Sequence, residues 1–171
     1  NKQRVKPDSF DFDFFVSELK AIKKTVVKEH HGLYINDITS LINKTQLFGY
    51  HFASLDVRQD SRIHHTVFSR IVESCIEKNN GIFPNNYNQL NEEAQIDVIS
   101  KLDSELDISI FKDELVYNTL KTIQVVKSIQ SKNGELGANR YIISNNQTAL
   151  NVMQLYAMLK LVAFNDKLSI D

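Results

Sequence analysis

Along most of the chain the apolar positions recur at three- and four-residue spacing, the period of a helix with one face turned inward. Phe12, Phe15, Val16, Leu19, Ile22, Lys23 and Val26 lay out the first such helix, after the start signal Pro7-Asp8-Ser9 and before the stop His31-Gly32. Its opening Phe-Asp-Phe-Asp-Phe-Phe alternates like a strand, but the long helical continuation decides for helix. Asp11 and Asp13 near its start and Lys20, Lys24 and Lys28 toward its end suit the helix dipole. A second helix is expected from about Asp37 to Phe48, with Ile38, Leu41, Ile42 and Leu47 as its apolar residues and Gly49 as its stop. A third, roughly His64 to Lys78, carries Ile63, Val67, Phe68, Ile71, Val72 and Cys75 and ends in Asn79-Asn80-Gly81. Residues 82–90, rich in Asn and containing Pro84, read as a surface loop. Asn91-Glu92-Glu93 opens a fourth helix through Val98, Ile99 and Leu102. A fifth, about Asp113 to Ser131, places Val116, Leu120, Ile123 and Val126 on one face and closes at Lys132-Asn133-Gly134. A last one, capped by Asn145 or Asn146, runs through Ala149, Val152, Met153, Tyr156 and Leu159.

Two stretches break that period. From His51 to Arg58 the pattern alternates: Ala53, Leu55 and Val57 point one way, to pack, and Ser54, Asp56 and Arg58 the other, to carry charge. Asp60 or Ser61 then caps the following helix, which puts Arg58 at the carboxyl end of a strand, where α/β barrels and sheets place ligand groups. The second strand is Arg140 to Ser144, with Ser144 sharing a face with Ile142 and ending near the same rim as Arg58. Each strand leads straight into a helix, and two such units separated by helices imply parallel strands of βα origin. The expected fold is mostly α, with two short parallel strands. No repeat, low-complexity segment or linker divides the 171 residues, so one domain is expected.

Composition narrows the partners more than the fold. Hydrophobic residues at 42% and charged residues at 24% suit a globular core, while a net charge of −1 and a pI near 6.6 leave no basic footprint for nucleic acid or an anionic membrane. No apolar run approaches membrane-spanning length, and Asn1 to Pro7 lacks the apolar centre of a signal peptide; a cytoplasmic protein is expected. The single Cys75 lies on an apolar stripe and reads as a small buried hydrophobe. Asp103, Glu105 and Asp107 alternate like cation ligands but lack the Gly and terminal Glu of a calcium loop, and read as a solvated connection. His30-His31 stands at a helix end, where a cation suits the dipole. His64 and His65 are adjacent on a helix, face different directions and cannot easily clasp one metal together.

The residues around the first strand also carry a family resemblance. Leu55-Asp56-Val57-Arg58-Gln59-Asp60-Ser61, followed by His64, resembles the Leu-Asp-Ile-Arg-Gln-Glu-Ser-x-x-His segment of phosphoenolpyruvate carboxylase. Tyr141-Ile142-Ile143-Ser144 after the small residues Gly137-Ala138 resembles that family's Tyr-Val-Ile-Ser and its preceding turn. Ile42 through Phe48-Gly49-Tyr50-His51 is similar to the family's helix ending in Phe-Gly-Leu. The resemblance spans nearly the whole chain but a minority of the family's length. It implies a partial slice of a (β/α)8 barrel and an internal fragment of a larger carboxylase. The family's reaction turns phosphoenolpyruvate and bicarbonate into oxaloacetate and phosphate through carboxyphosphate and an enolate, with Mg2+ or Mn2+ as cofactor. Homo-oligomers are expected.

Within that resemblance Arg58 is one of several arginines that grip the phosphate of phosphoenolpyruvate, a task suited to a planar, permanently charged fork. Asp56, Gln59, Asp60 and His64 support it from behind, His64 as a hydrogen-bonded structural residue. Read from the residues alone, Arg58 equally fits an ion pair with Asp56 or Asp60. Arg62-Ile63 replaces the family's Thr-Arg before the histidine, which moves the second guanidinium onto another helical face. Asn145-Asn146 replaces the usual Met and small residue after the serine. The family's catalytic His in His-Pro-Thr, its metal carboxylate in Leu-Phe-Glu-Thr and its Gly-Arg-Gly-Gly loop have no counterpart here. The expected contribution is therefore one phosphate-binding arginine and scaffold, with no metal bound and no turnover by the piece alone. The competing reading is a non-catalytic helical interaction or regulatory module, with Asp56 paired to Arg58 and no open rim.

Overall fold

The computed structural model describes residues 11–49, 52–163 and 170. Its elements are α1 (Phe12–Glu29), α2 (Ile35–Phe48), β1 (Asp56–Asp60), α3 (Ser61–Glu77), α4 (Glu92–Ser100), α5 (Glu114–Asn133), β2 (Arg140–Ser144) and α6 (Ala149–Val162). The two strands pair in parallel, Asp56 opposite Arg140 through Asp60 opposite Ser144. Mostly helical architecture with two short parallel strands, each running into a helix, is as the pattern predicts.

Helix boundaries follow local chemistry. Asp11 caps α1 through a 3.0 Å bond from Phe14 N, and Asn91 and Asp113 cap α4 and α5 in the same way. Pro7, Asp8 and Ser9 lie outside the described residues. Gly49 and Gly134 end α2 and α5, Gly134 at a positive φ of 81°. The cap of α6 corrects the expectation: Thr148, in a capping box with Asn151, takes the place assigned to Asn145 or Asn146.

The main core is built from α3, α4, α5 and α6, with α3 packing on α5 and α6 and α4 on α6. Val67, Phe68, Ile71, Val72 and Cys75 meet Val116, Leu120, Ile123, Met158 and Leu161 there. α1 and α2 pack on each other, with Val16, Leu19 and Ile42 buried and Leu41 and Leu47 exposed. In α6 the buried apolar residues are Leu155, Ala157, Met158, Leu161 and Val162, whereas Val152 and Tyr156, assigned to its apolar stripe, are exposed. This helix is apolar nearly all round, and periodicity alone does not select its inner face.

Residues 82–90 are not simply a surface loop. Phe83 is only 4% exposed, and its ring meets Phe68 at 5.6 Å and Tyr87 at 5.4 Å in edge-on contacts. The loop inserts an aromatic wedge into the core while its Asn residues stay outside. Asp103, Glu105 and Asp107 are exposed, as a solvated connection requires, and Leu106 between them is buried, its N–H donating to Leu161 O at 2.8 Å.

Candidate functional site

β1 is shorter and placed later than the alternation suggests. Ala53 and Leu55 precede it and are exposed, Leu55 at 59%, so the expected packing face of Ala53, Leu55 and Val57 is reduced to Val57. The physical reason is pairing: β2 begins at Arg140, opposite Asp56, and offers no ladder partner to residues further back. The preceding segment is instead fastened to the turn before β2, Leu55 N donating to Gly137 O at 2.9 Å and Ser54 Oγ to Leu136 O at 2.9 Å. His51 lies outside the described residues. Because β1 continues to Asp60, Arg58 is its middle residue and not its carboxyl end.

Strand alternation sorts the pair into two faces. Val57, Gln59, Tyr141 and Ile143 share the inner one, where Tyr141 and Ile143 pack on the core. Asp56, Arg58 and Asp60 share the outer one with Arg140, Ile142 and Ser144.

On the outer face Asp56 sits between two guanidinium groups. Arg58 Nη2 donates to Asp56 Oδ2 at 3.2 Å, and Arg140 Nη2 approaches Asp56 Oδ1 at 2.8 Å. Arg58 keeps a side chain 71% exposed. Next along, Asp60 caps α3: its Oδ1 accepts from Arg62 N at 2.8 Å and Arg62 Nε at 3.0 Å, and its Oδ2 from Arg62 Nη2 at 2.7 Å. The Arg62 side chain, then its backbone N–H, hold the Asp60 carboxyl down to about 2. Arg62 is thus folded back onto its own helix cap. Gln59 Oε1 accepts from Asp60 N at 2.9 Å, which turns that side chain onto the backbone.

His64 lies behind the sheet from Arg58. It is fully buried, and its Nε2 is 2.8 Å from the Tyr141 hydroxyl, which ties α3 to the inner face of β2. Burial pushes the imidazole below its ordinary value, against a smaller opposing pull from the Asp60 charge. Burial likewise raises the Tyr141 phenol to about 12. Its neighbour His65 points elsewhere, with Nδ1 3.0 Å from Gln154 Nε2.

The structure therefore joins Asp56 to Arg58 directly, reaches Gln59 and Asp60 through the backbone of β1, and places His64 on the opposite side. Arg140 and Tyr141 are the participants the sequence reading did not single out. Alternation within Arg140-Tyr141-Ile142-Ile143-Ser144 puts Arg140 on the Ile142 face, but meeting Asp56 needs the register of a parallel pairing. Tyr141 and His64 are 77 residues apart, and no local pattern links them.

At the carboxyl ends of both strands, between the starts of α3 and α6, lies a cleft of about 590 Å³. Ser61, Arg62, His65, Asn145, Thr148 and Asn151 line it. Ser61 Oγ donates to Asn145 O at 2.7 Å, linking the start of α3 to the segment after β2. Among the described residues no three His, Cys, Asp or Glu side chains stand close enough to hold a metal ion. Asp56 and Asp60 are each engaged by guanidinium groups, so neither fits a divalent cation. No helix among the described residues is long and apolar enough to cross a membrane.

Two parallel strands, each running into a helix, define a mostly helical protein with βα units, and its outer strand face carries Arg58 and Arg140 on either side of Asp56. The phosphoenolpyruvate carboxylase family model matches residues 4–170, and the chain belongs to that family. No solved structure matches the chain.

Proposed function

We propose that the chain forms part of a phosphoenolpyruvate carboxylase, as an incomplete slice of its (β/α)8 barrel, and that Arg58 grips the phosphate of phosphoenolpyruvate. The observation that carries this is the position of Arg58: mid-strand on the outer face, highly exposed, and held, among the described residues, by one 3.2 Å contact that leaves most of its donors free. A guanidinium has five N–H donors in a plane, and two of them match two phosphoryl oxygens. Asp56 orients the fork from one side. Asp60 and Gln59 fix the strand end and the start of α3, and His64 anchors that helix to β2.

In the complete reaction bicarbonate attacks the phosphoryl group, the enolate of pyruvate leaves, and carbon dioxide released from carboxyphosphate adds to the enolate carbon. Oxaloacetate and phosphate result. Arg58 neutralises charge on the phosphoryl oxygens in both substrate and product. The divalent cation the family uses would supply further charge stabilisation, but Asp56 and Asp60, the acids of this strand face, are already paired with guanidinium groups. The 171 residues carry neither the Gly-rich loop nor the catalytic His-Pro-Thr segment, so the chain by itself is proposed to be inactive.

One observation favours the alternative, a non-catalytic helical interaction or regulatory module: the Asp56–Arg58 ion pair, which that reading requires. Against it stands the cleft beyond the strand ends, since the same reading requires no open rim, although Arg58 itself is not among the residues that line it. Arg58→Lys in the active carboxylase separates the two. Lysine keeps the charge and loses the fork, so kcat/KM for phosphoenolpyruvate falls roughly ten- to hundredfold while the thermal midpoint stays close to that of the parent. Unchanged efficiency, or a fall only in step with lost stability, makes Arg58 a structural ion-pair residue.

A further inference from the structure

We infer that Arg140 is a positioning residue that acts through Asp56 to keep Arg58 available to a phosphate; this rests on the assignment of Arg58 above. Asp56 has two carboxylate oxygens and two cationic neighbours. The Arg140 contact to Oδ1, at 2.8 Å, is shorter than the Arg58 contact to Oδ2, at 3.2 Å. With Arg58 alone, Asp56 would form a neutral pair and its negative charge would both hold the guanidinium and repel an incoming phosphate. With Arg140 present, the triad Arg58, Asp56 and Arg140 carries a net charge of one positive unit. The carboxylate is neutralised from both sides, by the Arg58 hydrogen bond along the strand and by the Arg140 ion-pair approach across the strand pair.

Register makes this possible. Asp56 and Arg140 are direct partners in the parallel ladder and project from the same face. Arg58 is two residues along the same strand and on that face as well. At the end of β1, Asp60 and Arg62 of α3 close on each other through two guanidinium contacts, so they add no net charge. The excess positive charge on the outer face therefore sits at Arg58 and Arg140.

The test uses the 171-residue chain and inorganic phosphate as the probe, with binding followed by the side-chain Nε–Hε resonances of 15N-labelled arginine. Arg140→Ala is expected to weaken phosphate binding at Arg58 about three- to fivefold, the upper end of the scale for an exposed charge. Arg140→Lys, which keeps a cation beside Asp56, is expected to restore most of it. Asp56→Asn is expected to strengthen binding, and adding Arg140→Ala to Asp56→Asn should change it by less than about twofold, because the group through which Arg140 acts is then gone. Binding unaffected by Arg140→Ala overturns the inference. A double variant that falls as far below Asp56→Asn as Arg140→Ala falls below the parent also overturns it, since Arg140 would then touch phosphate directly. Arg58→Ala probes the underlying assignment separately: if phosphate binds that variant as well as the parent, the role given to Arg58 fails, whatever Arg140 does. Backbone spectra of each variant, matched to the parent, exclude unfolding as the cause.

Discussion

Tyr141→Phe is the sharpest probe of how the charged strand face is held in place. The substitution keeps the ring, whose centroid lies 5.5 Å from that of His64, and removes only the hydroxyl 2.8 Å from His64 Nε2. His64 is fully buried, and its Nδ1 has no hydrogen-bond partner among the described residues. Whichever ring nitrogen carries the proton, Tyr141 satisfies the one polar atom of the ring that is satisfied. Removing it leaves a buried imidazole with both nitrogens unserved, a loss of about 1 to 3 kcal/mol. Because burial lifts the phenol to about 12, the hydroxyl stays neutral and the contact persists across ordinary pH. Urea unfolding at neutral pH should show a lower midpoint with an unchanged slope. The thermal midpoint should fall by about 2 to 4 °C per kcal/mol for a chain of this size. A change below about 0.3 kcal/mol would mean that the bond contributes nothing net. A changed slope would mean that β2 had detached, so that the hydroxyl set the fold and not one contact.

Stability should also fall in mild acid. The folded state holds His64 below its ordinary value of 6.5, so the unfolded chain takes up this proton first as pH drops; stability is full above about 6.5 and declines toward the lower folded value. The difference between parent and His64→Gln in urea midpoints at pH 7.5 and 5.5 isolates this contribution, and a difference independent of pH would refute it. Phe83→Ala should cost about 3 to 5 kcal/mol by calorimetry or denaturant, as expected for a core aromatic and not for a loop residue. The purified chain should form no oxaloacetate from phosphoenolpyruvate and bicarbonate, and turnover in a malate dehydrogenase-coupled assay would overturn that. Open strand edges and exposed Leu55, Ile142, Val152 and Tyr156 should make the chain self-associate, whereas a monodisperse monomer by light scattering at high concentration would count against it.

What the sequence made legible was what depends on local chemistry. The helical period located all six α-helices of the described residues, and β2 occupies the residues Arg140 to Ser144 that its pattern marks. Parallel pairing was also legible, because a strand that runs directly into a helix returns to its sheet through a crossover. The start of β1 was not legible. Ala53 and Leu55 alternate as well as Val57 does, and only the length of β2 decides that they remain unpaired. In residues 82–90 the Asn and Pro composition outweighed Phe83 and Tyr87, whose burial depends on the Phe68 ring from α3. Candidate site residues divided in the same way. Arg58 and the Asp60 cap can be read from one segment, whereas the Arg140 contact to Asp56 and the Tyr141 contact to His64 exist only after two distant strands and a helix have met.

The period of two along each strand gives the site its division of labour. On β2, Tyr141 and Ile143 face the core while Arg140 and Ile142 face outward; on β1, Val57 and Gln59 alternate with Asp56 and Arg58. One short strand thus anchors itself and presents charge with successive residues, and a one-residue slip would bury the guanidinium groups and expose the anchors. Register is therefore under strong constraint from the apolar side, and the buried His64–Tyr141 contact adds a polar one that a slipped pairing could not make. The outer face gains its geometry from this without contributing much stability of its own, since exposed ion pairs contribute about 0 to 1 kcal/mol. Substitutions on the two faces should then separate cleanly. Tyr141→Phe should lower stability with little change in phosphate affinity, and Arg58→Lys should do the reverse. Parallel losses of both properties in either variant would mean that the faces are coupled through the backbone of β1, and that the charged cluster helps to fold the strand pair it stands on.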